Sequence, residues 1–491
     1  MAKKTVFWVM LVIAFTMAAC DDLWGKRPDP YTPPPPPGPG ESVSNPIDRI
    51  ADTNLGTMIS SVSGWRQLLN SINSTGKYIN LDLSACTMTG TSFNPDASVE
   101  TGKEYIVSII LPTVATSIEA GTFSNPSFKN FTNLKSVSGA NIITIGDYSF
   151  YRDILGGYSY SYLQSVNFPK ATTIGKYAFY YSSLDDINFP QVTTIGDSAF
   201  YSGISGDANF PLVQSIGIDA FQRCSYLKSI SFPASAKLGY SSDADTYSNP
   251  FTYCDRLTSF TLTGSGSLSV IENGKALVRG GTILLAYPSA SGNVSMNNIT
   301  SIDGGAFQGR SNLDSINFPQ VTSIGPVAFS SCTNIQDVNF PQATSIGSSA
   351  FSYCSRLQSA SLPLVATINQ YGFRYCYNLL SLNIPKVTNI SWGAFAVTGD
   401  TTLTITMGSA APTLSYEIFG SGITKTVIVK VPAGATGYTP FTGTRVTVSG
   451  TNTTANWANG FRGGGWNGST WAQYGGTSCI NQSISLTIEQ Q

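Results

Sequence analysis

The chain repeats itself. A block running Leu313-Asp-Ser-Ile316-Asn-Phe318-Pro319-Gln-Val321-Thr-Ser-Ile324-Gly325-Pro-Val-Ala328-Phe329-Ser-Ser-Cys332 returns as Ile335…Phe340-Pro341…Ile346-Gly347…Ala350-Phe351…Cys354. It returns again as Leu357…Leu362-Pro363…Ile368…Phe373…Cys376, and once more from Ile384-Pro385 to Phe395. Phe307, Phe329, Phe351, Phe373 and Phe395 stand 22 residues apart. Earlier, Phe179, Phe200 and Phe221 stand 21 apart, with Phe168-Pro169, Phe189-Pro190 and Phe210-Pro211 in step. Phe150 joins that series, and Phe123 and Phe251 read as degenerate members. A repeat this short cannot bury its own apolar face and must stack on its neighbours.

The period therefore predicts a β-rich solenoid of about eleven coils of 21–22 residues. In Ser315-Ile316-Asn317-Phe318 the alternation is period two, so Ile316 and Phe318 face inward and Ser315 and Asn317 outward. Pro319 lacks an N–H and ends the strand. Gly325 marks a tight corner, replaced by Asn369 and Ser391 in two later coils, and Ala328 and Phe329 return to the core. The coils are expected to share one continuous apolar column.

The pattern Leu-x-Ser-Ile-x-Phe-Pro-x-Val-Thr-x-Ile-Gly-x-x-Ala-Phe-x-x-Cys resembles the BspA-like leucine-rich repeats of bacterial surface proteins, particularly the treponemal type, over most of residues 111–400. The resemblance implies the leucine-rich-repeat fold and surface exposure. It also implies a protein partner, with adhesion to host matrix proteins or to other bacteria.

Repeats of this kind need ends. Trp65, Leu68, Leu69 and Ile72 fall at i, i+3, i+4 and i+7, the stripe of an amphipathic helix, with Ser63 as its cap and Gly76 past its end. The strand-like run from Tyr78 to Leu83 follows, and the whole reads as an N-terminal cap over residues 41–110. Repeat block 1 spans 111–233 and block 2 spans 301–400. Between them, residues 234–300 hold a degenerate coil and two apolar runs around Gly280-Gly281, a β-hairpin that protrudes from the solenoid or extends it. Residues 401–491 read as a β-rich C-terminal cap and tail, with a strand at Thr426–Val431. Trp457, Trp466 and Trp471 in that tail either close the exposed end of the core, which is the expectation, or stack on sugar rings.

Residues 1–19 read as an export signal: Lys3 and Lys4 precede an apolar run from Val6 to Phe15, too short to span a bilayer. Met17-Ala18-Ala19-Cys20 resembles a bacterial lipobox with Met at its first position, which implies lipidation at Cys20 and tethering to the outer membrane or cell surface. Residues 20–40 hold this Cys and a proline-rich stretch. Its thirteen residues from Pro28 to Gly40 favour a polyproline stalk of roughly 40 Å.

Composition removes most chemistry. The chain has no histidine, so Ser-His and Cys-His nucleophile pairs and imidazole-bound zinc are absent. Lys plus Arg at 27 nearly cancels Asp plus Glu at 28, which gives no field for nucleic acid. Gly463 to Gly468 matches GxGxxG but neither follows a convincing strand nor opens a helix. Cys224, Cys254, Cys332, Cys354 and Cys376 share one repeat position. At a coil spacing of about 4.8 Å their Cβ atoms are too far apart to bridge, which predicts buried free thiols. Asp185 and Asp186 are adjacent, so alternation sends them to opposite faces, and Asp147, Asp197 and Asp219 follow corner glycines as turn residues. No catalytic residue, metal site or cofactor is expected.

What remains is surface. Asn167, Asn188, Asn317, Asn339 and Asn383, flanked by Ser165, Asp186, Ser315, Asp337 and Ser381, form an outward polar column. Tyr180, Tyr181, Tyr201, Tyr353 and Tyr375 follow the anchor phenylalanines and add aromatic contacts. Together they are the candidate partner-binding face, against the alternative of a solvated sheet whose tyrosines close coil edges. The functional expectation is a lipid-anchored protein-binding solenoid without turnover. A carbohydrate-binding module and an unrecognised carboxylate hydrolase are the alternatives.

Overall fold

A strand that alternates around one aliphatic residue and then stops at proline can pair along its length only with copies of itself. In the computed structural model Asp186–Asn188 lies parallel to Ser165–Asn167, with Ile187 beside Val166 and Asn188 beside Asn167. The structure describes residues 47–48, 62–88, 90–95, 101–152, 163–239, 249–396, 402–415, 418, 424–438, 441–444, 465–466, 471–472 and 483–490. The chain divides into a unit Met1–Ile47 and a unit Asp48–Gln491, and the second carries the repeats. Cys20 and the proline stretch lie outside the described residues.

Each coil has a second strand where the sequence shows only a corner. Thr173–Ile174 pairs in parallel with Thr144–Ile145 and with Thr194–Ile195. A matching ladder in a separate sheet runs through Ser323–Ile324, Ser345–Ile346 and Thr367–Ile368 in the later block. Two residues are too short a segment for a period-two pattern to register.

The third side has turns in place of strands, yet its backbone is paired. The N–H groups of Tyr177, Phe179 and Tyr181 donate to the carbonyls of Asp197, Ala199 and Tyr201 one coil on, at 3.0, 2.7 and 2.9 Å. The geometry depends on left-handed residues four apart: Tyr177 and Tyr181 at φ 55° and 57°, Ser349 and Tyr353 at 55° and 63°. Gly305 and Gly309 hold these two places in one coil without the steric cost that other residues bear.

The corner glycines serve close packing. Gly347 has no positive φ, but a Cβ on it would lie 2.2 Å from Pro326 N and 2.5 Å from Gly325 C. One coil's backbone passes directly against that of the coil before it. Where Asn369 takes the place, its Nδ2 donates to the Ile346 carbonyl at 2.7 Å.

Inside, the anchor phenylalanines stack in file. Phe150, Phe179, Phe200, Phe221 and Phe251 follow one another at ring separations of 5.1, 5.3, 5.5 and 5.8 Å. Phe307, Phe329, Phe351 and Phe373 do so at 5.0, 5.3 and 5.3 Å. Phe251 is thus a true member, whereas Phe123 is not. Phe123 is 53% exposed, and Phe128 stacks on Phe150 in its stead at 4.3 Å. The irregular spacing in that coil places the wrong aromatic in register when the sequence alone is aligned.

The expected single column is in fact two hydrophobic clusters that divide at the hairpin. Its strands Ala276–Arg279 and Ile283–Ala286 are antiparallel to each other, and Ile283–Ala286 continues in parallel into Ser301–Ile302. The hairpin therefore extends the solenoid. Leu277 and Leu285 belong to the first cluster, while Ala276, Val278 and Leu284 belong to the second. Alternation along a strand buried on both faces makes it a partition.

Side chains bridge that partition. Asn249, 2% exposed, donates through Nδ2 to the carbonyls of Leu285 and Gly304 at 3.3 and 3.1 Å. Arg310 stands at the repeat position that Cys332 holds one coil later. It donates to the Pro288 carbonyl and pairs with Asp255, and its side chain is 5% exposed against 57% for Asp255.

The ends are closed as expected, with shifted boundaries. The helix spans Val62–Thr75, so Ser63 lies in its first turn and does not cap it. The apolar stripe that revealed the helix begins only at Trp65, where packing begins. Trp65, Leu68, Leu69 and Ile72 are buried, and Trp65 meets the Phe93 ring edge-on at 6.2 Å while donating from Nε1 to the Pro95 carbonyl at 2.8 Å. At the far end Thr424–Val431 lies between Leu403–Thr406 and Ser483–Gln490, parallel to both, and Phe441–Thr444 adds antiparallel to the last. Among the described residues no helix is long and apolar enough to cross a membrane.

Candidate interaction surface

The longer strand of each coil sets out its polar residues by alternation alone. Asn167, Asp186, Asn188, Asn317, Asp337 and Asn339 are exposed, and Asn383 is half-buried. Coil stacking brings each within reach of the next. Asn188 Nδ2 donates to Asn167 Oδ1 at 2.7 Å, and Ser165 donates to Asp186 at 3.1 Å. Asn317 donates to the Ser295 hydroxyl at 3.1 Å, Asn383 to Ser361 at 3.4 Å, and Ser359 to Asp337. The column is a hydrogen-bonded ladder that spends part of its donor capacity on itself.

The tyrosines lie elsewhere on the coil. Tyr180, Tyr181, Tyr201, Tyr353 and Tyr375 sit on the turn-rich third side, so the structure separates them from the asparagine column that the sequence reading joined them to. Tyr180 stacks on Tyr201 at 4.7 Å and on Tyr151 at 5.0 Å, and Tyr148 stacks on Tyr177 at 4.9 Å. Burial, followed by the neighbouring tyrosines, raises the Tyr180 hydroxyl well above its ordinary 10.0. Burial also raises the Tyr201 hydroxyl. Both stay protonated at neutral pH. Tyr148, Tyr177, Tyr181, Tyr353, Tyr371 and Tyr375 all adopt positive φ, where glycine or asparagine costs less. Ser198, Ser202, Val327 and Ser331 hold the same places in other coils.

In the later block Tyr353 and Tyr375 belong to a wider cluster than their repeat position alone indicates. Arg374 has its guanidinium carbon 4.7 Å from the Tyr371 ring centroid and 4.5 Å from that of Tyr375. Trp392 lies over Tyr371 at 4.8 Å, and Tyr353 meets Tyr375 at 4.5 Å. A signal was present in the sequence: residues 338–399 hold Arg356, Arg374 and Lys386 and no Asp or Glu.

The groups considered for chemistry have structural work. Asp147 Oδ1 accepts the Lys176 N–H at 2.7 Å and Asp197 Oδ1 accepts that of Ile218 at 3.0 Å, each one coil on. Lys176 Nζ pairs with Asp197 at 3.0 Å. Asp185 and Asp186 are both exposed, because the strand begins at Asp186 and alternation does not reach back to Asp185. Among the described residues no three His, Cys, Asp or Glu side chains gather as a metal site. Of the tail tryptophans, Trp457 lies outside the described residues, while Trp466 and Trp471 pair through their backbones.

Cys224, Cys254, Cys332, Cys354 and Cys376 are free and buried. Each thiol points to a backbone acceptor one coil back: Cys332, Cys354 and Cys376 donate to the carbonyls of Phe307, Phe329 and Phe351, all at 3.1 Å. Burial pushes Cys224 up to about 11 and Cys332 up to about 12. Their stabilising contribution is whole below the ordinary value of 9.0 and falls away as pH rises toward those folded values. Iodoacetamide is therefore expected to spare all five in the folded chain at neutral pH and to label all five after denaturation without reductant. Failure to label the denatured chain would mean they are bridged.

The family model of the BspA type leucine rich repeat region matches in six copies, over residues 101–156, 156–274 and 291–420. Among solved structures the chain is similar to a leucine rich cell surface protein from Faecalibacterium prausnitzii A2-165, at 21% identity over 65% of this chain and 85% of that one, TM-score 0.43. It is similar to a leucine-rich repeat protein from Eubacterium ventriosum, at 21% identity over 63% and 84%, TM-score 0.43. The pneumococcal vaccine antigen PcpA is similar at 15% identity over 72% and 80%, TM-score 0.39. No curated protein matches the chain.

Proposed function

The chain belongs to the BspA-type leucine rich repeat proteins, and from that premise we propose that it is displayed at the cell surface and binds other proteins without turnover. One observation carries the reading: tyrosines recur at strained left-handed positions on the third side, Tyr177 and Tyr181 in one coil and Tyr371 and Tyr375 in another. Other coils place Ser198 and Ser202, Asp219 and Arg223, or Val327 and Ser331 there, so the turn accepts many side chains and the tyrosines are concentrated in particular coils. Half-buried rings gathered in these coils suit the aromatic-rich contacts of protein partners. The ring faces stack on one another at 4.7–5.0 Å, which leaves little open face for a sugar ring and favours protein over carbohydrate.

Adhesion to host matrix or to other bacteria is the form of binding we favour, with the chain tethered through an acylated Cys20. The test is retention of the purified full chain on immobilised matrix proteins and on a glycan array. Retention on protein that falls when Tyr177 and Tyr181 are changed to Ser, the residue that holds both places one coil on, supports the reading. Retention on glycans alone overturns it. Tethering predicts that Cys20→Ser moves the protein from the detergent phase to the aqueous phase on partitioning; unchanged partitioning rejects the anchor.

A further inference from the structure

We propose that Arg374, framed by tyrosines, is the docking point for an acidic peptide segment of the partner protein. This rests on the protein-binding reading and gives the partner a chemistry.

The guanidinium is held in place before any partner arrives. It lies against the rings of Tyr371 and Tyr375 at 4.7 and 4.5 Å, and one of its N–H groups donates to Tyr375 Oη at 2.9 Å. Both tyrosines have φ 58°, and Trp392 and Tyr353 pack on them from the neighbouring coils. A long side chain fixed in this way loses little rotamer freedom on binding.

Its charge is unmet. Among the described residues the two ion pairs are Lys176–Asp197 and Arg310–Asp255, neither of which involves Arg374. An arginine carries five N–H donors, and the Tyr375 oxygen is the one side-chain acceptor it has among the described residues. Within residues 338–399 the chain supplies no acid either, and Asp400 and Glu417 in the coils that follow lie outside the described residues. Residues 338–399 contain three cations and no anion, in a chain whose net charge is −1. Asp337, just before this stretch, lies on the strand side and accepts a hydrogen bond from Ser359. The charge that answers a fixed guanidinium in a locally cationic field is a carboxylate, which it can engage with two parallel hydrogen bonds. The exposed Tyr377, 5.9 Å from Tyr375, extends the aromatic frame beside it. Arginine, tyrosine and tryptophan together make the composition of an interface hot spot. Three cations spread over three coils are too few to track a nucleic-acid backbone.

The test is fluorescence anisotropy of the full chain with a labelled poly-glutamate peptide, with neutral poly-glutamine and dextran sulfate as comparisons. The wild type is expected to bind poly-glutamate over poly-glutamine, more weakly as salt is raised. Arg374→Gln should weaken binding by about tenfold or more, and Lys237→Gln in the first block should leave it unchanged. Wild-type binding that survives Arg374→Gln, or absent from poly-glutamate, overturns the proposal; so does preference for dextran sulfate, which would make the partner a sulfated polysaccharide. If Arg374→Gln melts below the wild type, Tyr375→Phe replaces it: it removes one oxygen that orients the guanidinium and should still weaken binding about threefold, and no change would again overturn the proposal. An Arg374→Gln chain that keeps full retention on matrix protein refutes this docking point while leaving the protein-binding reading standing.

Discussion

Phe351→Ala is expected to cost about 3–5 kcal/mol of stability. Phe351 is fully buried, stacked between Phe329 and Phe373 at 5.3 Å on each side and tilted against Phe340 at 6.2 Å. Removing the ring opens a cavity whose walls belong to three coils. Glycines such as Gly347, already in backbone contact with the coil before, keep those coils from collapsing inward to fill it. In a repeat array the loss falls first on nearest neighbours. Hydrogen exchange should accelerate between Ser323 and Phe395 before the first block is affected. A melting curve superimposable on the wild type would contradict the stacked core.

Arg310→Met should be the second large effect, about 3 kcal/mol, with a change in the shape of unfolding. The substitution keeps much of the volume but leaves the buried Pro288 carbonyl without its donor and cuts the tie to Asp255. Two hydrophobic clusters meet at the hairpin partition, so a weakened bridge should let them unfold separately. Calorimetry is expected to resolve two transitions where the wild type shows one. Asp255→Asn is the control: at 57% exposure its charge is screened, and the change should cost under about 1 kcal/mol. Equal losses from the two substitutions would place the value of this contact in the ion pair and not in the buried carbonyl.

Much of the molecule could be read from its letters, for reasons that differ by element. Alternation in Ser-Ile-Asn-Phe identified the inward residues, and the proline after it marked the strand end, because both signals are local. The free thiols followed from a shared repeat position and a known coil spacing. Phe123 shows that apolar type does not fix register. The chain shows a phenylalanine at nearly the right interval, but Phe128 occupies the stack. The candidate surface fared unevenly. The outward asparagines were legible one by one, while their mutual hydrogen bonds were not, since the partner of each lies about a coil away. Tyr353 and Tyr375 were found by their place after the anchor phenylalanine. The acid-free stretch around Arg374 is legible in the sequence, but the rings around its guanidinium are not, because two of them, Tyr353 and Trp392, come from neighbouring coils.

The sequence by itself determined the period, the buried residues of the regular coils, the strand ends and the absence of imidazole chemistry. A repeated apolar pattern has one consistent way to shelter its apolar side. Only the tertiary structure decided that the hairpin divides the core in two, that the turn side is a hydrogen-bonded ladder, and that the tyrosines stand apart from the asparagines. Those outcomes depend on how closely one coil lies upon the next, which glycine corners and the left-handed residues of the third side set jointly and which no single repeat records.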